Sequence, residues 1–286
     1  MKHFKLRTDL TIKVGEKTLY RIEATKDITK FGVKAGDLGG YIEKEENLSG
    51  DAWVSGYAKV YDDALVYENA KVSGYAKVCG NAKVSGYAKV YGNARVYGNA
   101  EVYGDALVYG NARVSENAWV SENAWVCGNA EVYGKAEVSG DAKVYGNAYV
   151  SGNAKVSENA RVYGDAHVSG DANVYGNARV YGNAFVYGNA EVYGDAEVSG
   201  NAEVYGDKIE KENDLINITS NTRSYNITIT PEHIKIGCQY HSKTAWFKFT
   251  ENEIRKMDGQ NAVDWWKTWK PILKQICDSF ASNKEE

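Results

Sequence analysis

A six-residue phrase repeats from Gly50 to Tyr205 with no insertion. The span holds 156 residues, or 26 hexads, and nearly all read Gly-(Asn/Asp)-Ala-x-Val-(Tyr/Ser), as in Gly92-Asn93-Ala94-Arg95-Val96-Tyr97. Self-similarity at so short and constant a period restricts the chain to stacked-repeat architectures. Within a hexad, Ala and Val lie two residues apart. In an extended strand they face one side, and the variable x between them faces the other. Ala and Val hold their places from Ala52 to Val204, whereas x is Lys, Arg, Glu, Leu, Trp, Tyr, Phe, His or Asn. That is the pattern of a dry interior and a free exterior. A uniform solenoid of this kind offers no loop on which to mount an active site.

The two residues between strands compensate for one another. Where the first is not Gly, the second is Asn or Asp: Glu68-Asn69, Glu116-Asn117, Glu122-Asn123, Glu158-Asn159 and Asp62-Asp63. Where the second is Tyr or Lys (Tyr57, Tyr75, Tyr87, Lys135), the first is Gly. Positive φ is cheap for Gly and tolerable for Asn or Asp. Each corner is therefore expected to need one residue able to take a left-handed conformation. Short strands with a corner every six residues wind into a parallel β-helix, and small Ala with medium Val suits a thin core.

The spacing Val-x-x-x-Ala-x resembles the hexapeptide repeat of left-handed β-helix proteins, an aliphatic residue followed four later by a small one. That resemblance implies left-handed winding, three faces and 18 residues per coil. The 26 hexads then make nearly nine coils, a rod of roughly 40 Å at about 4.8 Å per coil. The lead-in Gly36-Asp37-Leu38-Gly39-Gly40-Tyr41-Ile42-Glu43-Lys44-Glu45-Glu46-Asn47-Leu48 also resembles phage and prophage hexapeptide-repeat proteins. These are related to the YdcK-like group often labelled acetyltransferase-like. The likeness speaks to fold more than to function, because function lives in sites grafted on folds.

The expected organisation is mainly β. A β-rich N-terminal cap spans residues 1–47, the β-helix 48–207, and a small α+β domain with a Trp-rich helix 208–286. Leu10–Val14 and Thr18–Ile22 alternate about Gly15-Glu16-Lys17, a hairpin signal. A solenoid end exposes strand edges and an open core, so the first segment reads as a cap. After residue 207, strands are expected at Asn217-Ile218-Thr219, Tyr225–Thr230 and His233–Gly237. Thr250-Glu251-Asn252-Glu253 has the form of a capping box opening a helix. Trp266, Trp269, Leu273, Ile276 and Phe280 form a helical apolar stripe, and Pro271 is expected to kink that helix or to start a second one. The stripe reads first as packing on the local sheet and closing the rod. Its alternative is a partner surface built on Trp265, Trp266 and Trp269, since Trp is enriched at binding hot spots.

The formal charge is −4 over 286 residues. Residues 50–207 carry 12 Lys/Arg against 19 Asp/Glu, a net of −7 that the flanks partly balance. No strong global field draws nucleic acid or anionic membrane. The chain starts Met1-Lys2-His3-Phe4-Lys5 with no apolar signal run, and no stretch approaches a transmembrane length. Cys79, Cys127, Cys238 and Cys277 read as incidental, with Cys79 and Cys127 on different faces. The expectation is a reduced protein of a bacterial cytoplasm.

Catalytic signals are weak. Hexapeptide acyltransferases use a histidine at a cleft between subunits, beside a loop interrupting the coils. This chain has no such loop, and its one repeat-region histidine, His167, sits at an outward x position. His233, Cys238 and His241 do not have a recognised zinc spacing, and the glycines follow the turn period rather than preceding a helix. No cofactor or metal is expected.

The exterior is more telling. Positions 18 apart should stack, giving one column Lys59, Lys77, Arg95, Arg113, Glu131, Tyr149, His167, Phe185, Glu203. A basic strip running into an aromatic one suits an acidic protein surface, or less favourably single-stranded nucleic acid; the bland reading is screening by nearby acids and solvent. A second column runs Trp53, Lys71, Lys89, Leu107, Trp125, Lys143, Arg161, Arg179, Glu197. Trp125, and Trp119 around the corner from it, suggest subunit contact in a dimer or trimer. The expectation is a non-enzymatic binding or scaffold protein, phage-encoded, docking onto a host protein complex, in its sharpest form an anti-defence or anti-CRISPR inhibitor. The alternatives are a self-assembling structural rod and an acyltransferase-like enzyme.

Overall fold

Each hexad forms one short strand and one corner. A computed structural model describes residues 2–218 and 225–282, without the side chains of Glu212 and residues 280–282. The repeat yields 26 strands, from Trp53–Val54 to Glu203–Tyr205, each built on x and Val. All but the last three pair in parallel with the strand 18 residues on, as in Lys59↔Lys77 and Val60↔Val78. Backbone bonds follow that register, Lys59 N–H donating to Ala76 O at 2.9 Å and Tyr61 N–H to Val78 O at 3.1 Å.

Three sheets result, one per side of the prism. The first face carries the strands from Lys59–Val60 to Glu203–Tyr205, the second those from Trp53–Val54 to Glu197–Val198, and the third those from Leu65–Val66 to Glu191–Val192. The protein is thus a parallel β-solenoid of about nine coils with a small α+β region at its C-terminal end. Every repeat Ala and Val from Ala52 to Val204 is completely buried in one continuous core. Ala and Val stack on their own kind along the axis, which is why neither position varies.

The corners differ from expectation in one respect. The left-handed residue is always the first of the pair, even where it is not Gly. Asp62, Glu68, Glu116, Glu122 and Glu158 have φ between 57° and 62°. Asn or Asp at the second position does not take over that role. The five acidic corners share another partner: each carboxylate accepts a hydrogen bond from the backbone N–H of the glycine one coil on. Glu122 Oε2 receives Gly140 N–H at 2.6 Å, and the pairs Asp62–Gly80, Glu68–Gly86, Glu116–Gly134 and Glu158–Gly176 lie at 2.7–2.9 Å. Glycine prevails elsewhere for two reasons. It takes φ near +70° freely, and at Gly146 an added Cβ would lie 2.9 Å from the backbone of Gly164.

The N-terminal segment extends the first face. Strand β1 (Phe4–Val14) pairs antiparallel with β2 (Lys17–Ala24), Val14 meeting Lys17 across Gly15-Glu16. Strand β3 (Leu38–Ile42) runs antiparallel to β2 and parallel to the Lys59–Val60 strand, so it joins the hairpin to the solenoid. Phe4, Ile28 and Leu48 enter the solenoid core. Trp53 corrects the simple outward rule for x. It is 1% exposed, because the cap lies over it and His3 packs at 6.4 Å between ring centres. His3 Nε2 is 2.8 Å from Ala52 O.

At the other end, Lys208–Ile209 completes the third face although the hexad has ended. Gly206-Asp207-Lys208-Ile209 reads as the repeat phrase with its Ala omitted. A four-stranded antiparallel sheet follows (Ile216–Ile218, Ile227–Ile229, His233–Ile236, Gln239–Ser242), then α1 (Lys243–Lys248) and α2 (Glu251–Ser282). The fourth strand and α1 were not expected from sequence. Thr250 and Glu253 form the expected capping box, Thr250 N–H donating to Glu253 Oε2 at 2.8 Å and Glu253 N–H to Thr250 Oγ1 at 3.3 Å. Pro271 does not break the helix. The interruption falls at Asp258 and Gly259, where φ is −155° and 69°, because Gly takes the left-handed turn that Pro cannot. Thr219, and the Phe280 side chain of the expected stripe, lie outside what is described.

Candidate docking face

The first face brings its column together in register. Lys59, Lys77, Arg95 and Arg113 are successive partners, followed by Glu131, Tyr149, His167, Phe185 and Glu203. The inward Val at i+1 fixes each x side chain on the outer surface. Arg113 is neutralised by Glu131 at 2.9 Å. Among the described residues, Lys59, Lys77 and Arg95 make no ion pair. Like charges about one strand spacing apart repel by roughly 1 kcal/mol even at the dielectric of water.

The other faces handle their cations differently. On the third, Lys83 pairs with Glu101 at 2.9 Å, Lys155 with Glu137 at 3.3 Å and Lys208 with Glu191 at 3.0 Å. On the second, Arg179 pairs with Glu197 at 2.9 Å, Lys143 sits 4.3 Å over the Trp125 ring, and Lys71 lies 5.4 Å from Phe31 of the cap. Lys89 and Arg161 there have no ion pair among the described residues; Lys89 adjoins Lys71, and Arg161 lies between Lys143 and Arg179, so this face also carries cation runs, one on each side of Leu107 and Trp125.

Beyond Glu131 the first face turns aromatic. Tyr149 stacks on His167 at 4.7 Å and 14°, and His167 on Phe185 at 4.7 Å and 12°. Both faces of the imidazole are covered, and burial pushes its pKa below the usual histidine value. Phe185 remains 41% exposed. The basic strip and the aromatic strip are therefore collinear on one sheet.

Other sequence-selected residues are placed apart from this column. Trp119 is exposed on the third face between Glu101 and Glu137, and Trp125 is exposed on the second in register with Leu107. Trp266 belongs to the core of the C-terminal region, with Trp265 and Trp269 partly buried against it and stacked at 5.4 Å. Trp266 is thus buried in the local fold, and Trp265 and Trp269 keep part of their surface exposed. His233, Cys238 and His241 do not converge. His233 binds Asp207 and stacks on Tyr240, His241 packs edge-on against Trp246, and Cys238 is exposed. Among the described residues no three His, Cys, Asp or Glu gather as metal ligands would. No described helix is long and apolar enough to cross a membrane.

Two arrangements escaped sequence reasoning. Turn asparagines form amide ladders between coils, such as Asn93–Asn111–Asn129–Asn147 at 2.9–3.2 Å; their spacing of 18 was legible, their bonding was not. The second is the junction with the C-terminal region. Asp207, 3% exposed, accepts from His233 at 2.9 Å and from the Tyr240 hydroxyl. Burial, with the Asp207 bond, holds the Tyr240 phenol above its ordinary pKa, so it stays a donor. Lys235 pairs with Glu203, whose N–H donates to Thr228 Oγ1 at 3.2 Å. The omitted Ala before Lys208 was the available signal: Asp207 stands where the core begins.

Residues 88–104, 100–116, 106–122 and 172–185 match the YdcK beta solenoid repeat. This match and the parallel β-solenoid together support a YdcK-like repeat β-helix. No curated protein matches the chain.

Proposed function

We propose that this protein is a non-enzymatic docking scaffold whose first face seats an acidic surface of a protein complex. The observation that carries the reading is the run Lys59, Lys77, Arg95, unpaired among the described residues and continuing in register into stacked Tyr149, His167 and Phe185. Cations held in line repel until an anionic partner covers them, and the stacked rings give that partner an apolar anchor. The resemblance of the Gly36–Leu48 lead-in to phage proteins extends the proposal to a phage-encoded accessory protein acting on a host complex. Its narrowest form is inhibition of a defence complex such as a CRISPR effector. Against acyl transfer stands the setting of His167, sandwiched by two rings with no hydrogen-bonded acid to orient it among the described residues. Exposed Trp119 and Trp125 favour side-by-side association of copies as an accompaniment.

The test is affinity capture from host lysate with and without nuclease, comparing the natural chain with Arg95→Glu and with Lys155→Glu on the third face. A stoichiometric protein that survives nuclease, is lost with Arg95→Glu and is kept with Lys155→Glu is the expected result. Equal loss with both variants, or recovery of nucleic acid in place of protein, refutes it.

A further inference from the structure

Where the N-terminal cap meets the second face, a groove of about 580 Å³ opens that the docking face does not use. Its floor comes from three successive coils, with Lys71, Lys89 and Leu107 in register. Phe31 of the cap, at the end of the turn Thr29–Phe31, stands at one side. Tyr87, 60% exposed at its corner, stands at another. Two of these apolar residues depart from the plan of the solenoid. In the corner column leading into the second face, eight of nine residues are Asn or Asp, and the ninth is Tyr87. Leu107 occupies an outward column that is Lys at the two coils before it. Neither belongs to the buried core of these coils. Both departures fall in the one place that the cap overhangs.

The charges of the lining define what fits. Three lysines face one acid, Asp105. Lys30 is already committed, paired with Asp51 at 3.2 Å and bonded to Asn69. Lys71 and Lys89 make no ion pair among the described residues. Lys71 Nζ lies 5.4 Å from the centre of the Phe31 ring, a contact that places the ammonium without cancelling its charge. Two uncompensated cations therefore sit side by side, their strands about 4.8 Å apart. One phosphate group can span that interval, offering a separate oxygen to each ammonium.

We infer that this groove binds a small molecule that joins an aromatic ring to a phosphate. The phosphate bridges Lys71 and Lys89, and the ring lies among Phe31, Tyr87 and Leu107. A phosphate monoester carries about two negative charges at neutral pH, which matches the two free lysines. A recess with apolar sides and a few placed charges is the usual form of a small-molecule site. The site is separate from the docking face, and its failure leaves that reading intact.

The test uses the full chain in a phosphate-free buffer, with its backbone amides followed by proton–nitrogen correlation NMR. Three probes are titrated: phenyl phosphate, inorganic phosphate and benzyl alcohol, which supply both parts, the anion alone and the ring alone. Phenyl phosphate should shift the amides of Lys71, Lys89 and Leu107 saturably. It should bind roughly fivefold tighter than either other probe, the gain expected from covering part of a ring. Lys71→Gln and Lys89→Gln should each weaken it roughly threefold, since exposed charge contacts are individually small, and the double variant about tenfold. Tyr87→Asn restores the residue type of the rest of the column, so the corner tolerates it. That variant should erase most of the preference for phenyl phosphate over inorganic phosphate. Lys143→Gln, on the same face beyond the groove, should change nothing. Absence of a saturable shift, equal affinity for phenyl phosphate and inorganic phosphate, or unchanged affinity in the double lysine variant overturns the inference.

Discussion

The acidic corners make a prediction that isolates one interaction. Glu122 sits at φ 57° and spends its carboxylate on Gly140 N–H at 2.6 Å. Glu122→Ala keeps a Cβ in the left-handed conformation, so the backbone cost is nearly unchanged. What is lost is a bond to a charged acceptor, about 1.5–3 kcal/mol in protected settings. This corner is solvent-exposed, which brings the expectation down to about 1 kcal/mol. A repeat protein does not unfold as a single unit, so a global midpoint dilutes so local a change. Native-state amide exchange reads it directly. The Gly140 amide should exchange roughly fivefold faster in Glu122→Ala, the equivalent of about 1 kcal/mol. Gly176, bonded to Glu158 at 2.9 Å, should be unaffected. Glu122→Gly should speed Gly140 similarly while relieving the left-handed strain. Unchanged exchange at Gly140 in Glu122→Ala would refute the claim that the carboxylate stabilises the corner.

Three further outcomes follow from the same structure. Val126→Ala, at a fully buried position, should cost about 2 kcal/mol, seen as faster exchange of Tyr109 N–H, which donates to Val126 O at 3.0 Å, with distant coils unchanged. Asp207→Ala removes the acceptor of His233 and one of two acceptors of Tyr240, whose hydroxyl also meets Tyr205 O, and should cost about 2 kcal/mol; limited proteolysis should then cut the C-terminal region free while far-UV circular dichroism of the solenoid persists. Stability should fall as pH drops from about 7.5 to 5.5. Burial lowers the pKa of His3, His167 and His241, so the unfolded chain takes up protons first, near the ordinary value of about 6.5, and gains on the folded one below it. Replacing His3 with Gln should flatten part of that slope in denaturant titrations at each pH, and an unaltered slope would exclude His3 from it.

The solenoid was legible because its periodic pattern is redundant. Val96 and Ala94 occupy the same environment as 25 other pairs, and any one of them predicts the rest. The columns on the first face were legible for the same reason: a period of 18 converts directly into register. Where the repeat stops, this advantage stops. Trp53 obeys the outward rule locally and is overruled by the cap, whose His3 packs on its ring and meets Ala52 O from 49 residues upstream. The corner carboxylates were misassigned because φ preference is a property of one residue, whereas Glu122 is held by its bond to Gly140 in the next coil. In the C-terminal region, Trp266 and Trp269 look alike on a helical wheel. Yet Trp266 enters the core of that region while Trp269 is only partly buried against it, a difference set by tertiary packing.

The central claim is that the first face, and not the rod as a whole, engages a partner. Site-specific photocrosslinking tests it most directly, with a photoreactive residue placed in turn at Arg95 on the first face, Arg161 on the second and Lys155 on the third. Docking through the first face gives an adduct with one acidic host protein from position 95, and none from 155 or 161. Adducts of equal yield from all three positions, or from 155 or 161 alone, would contradict it.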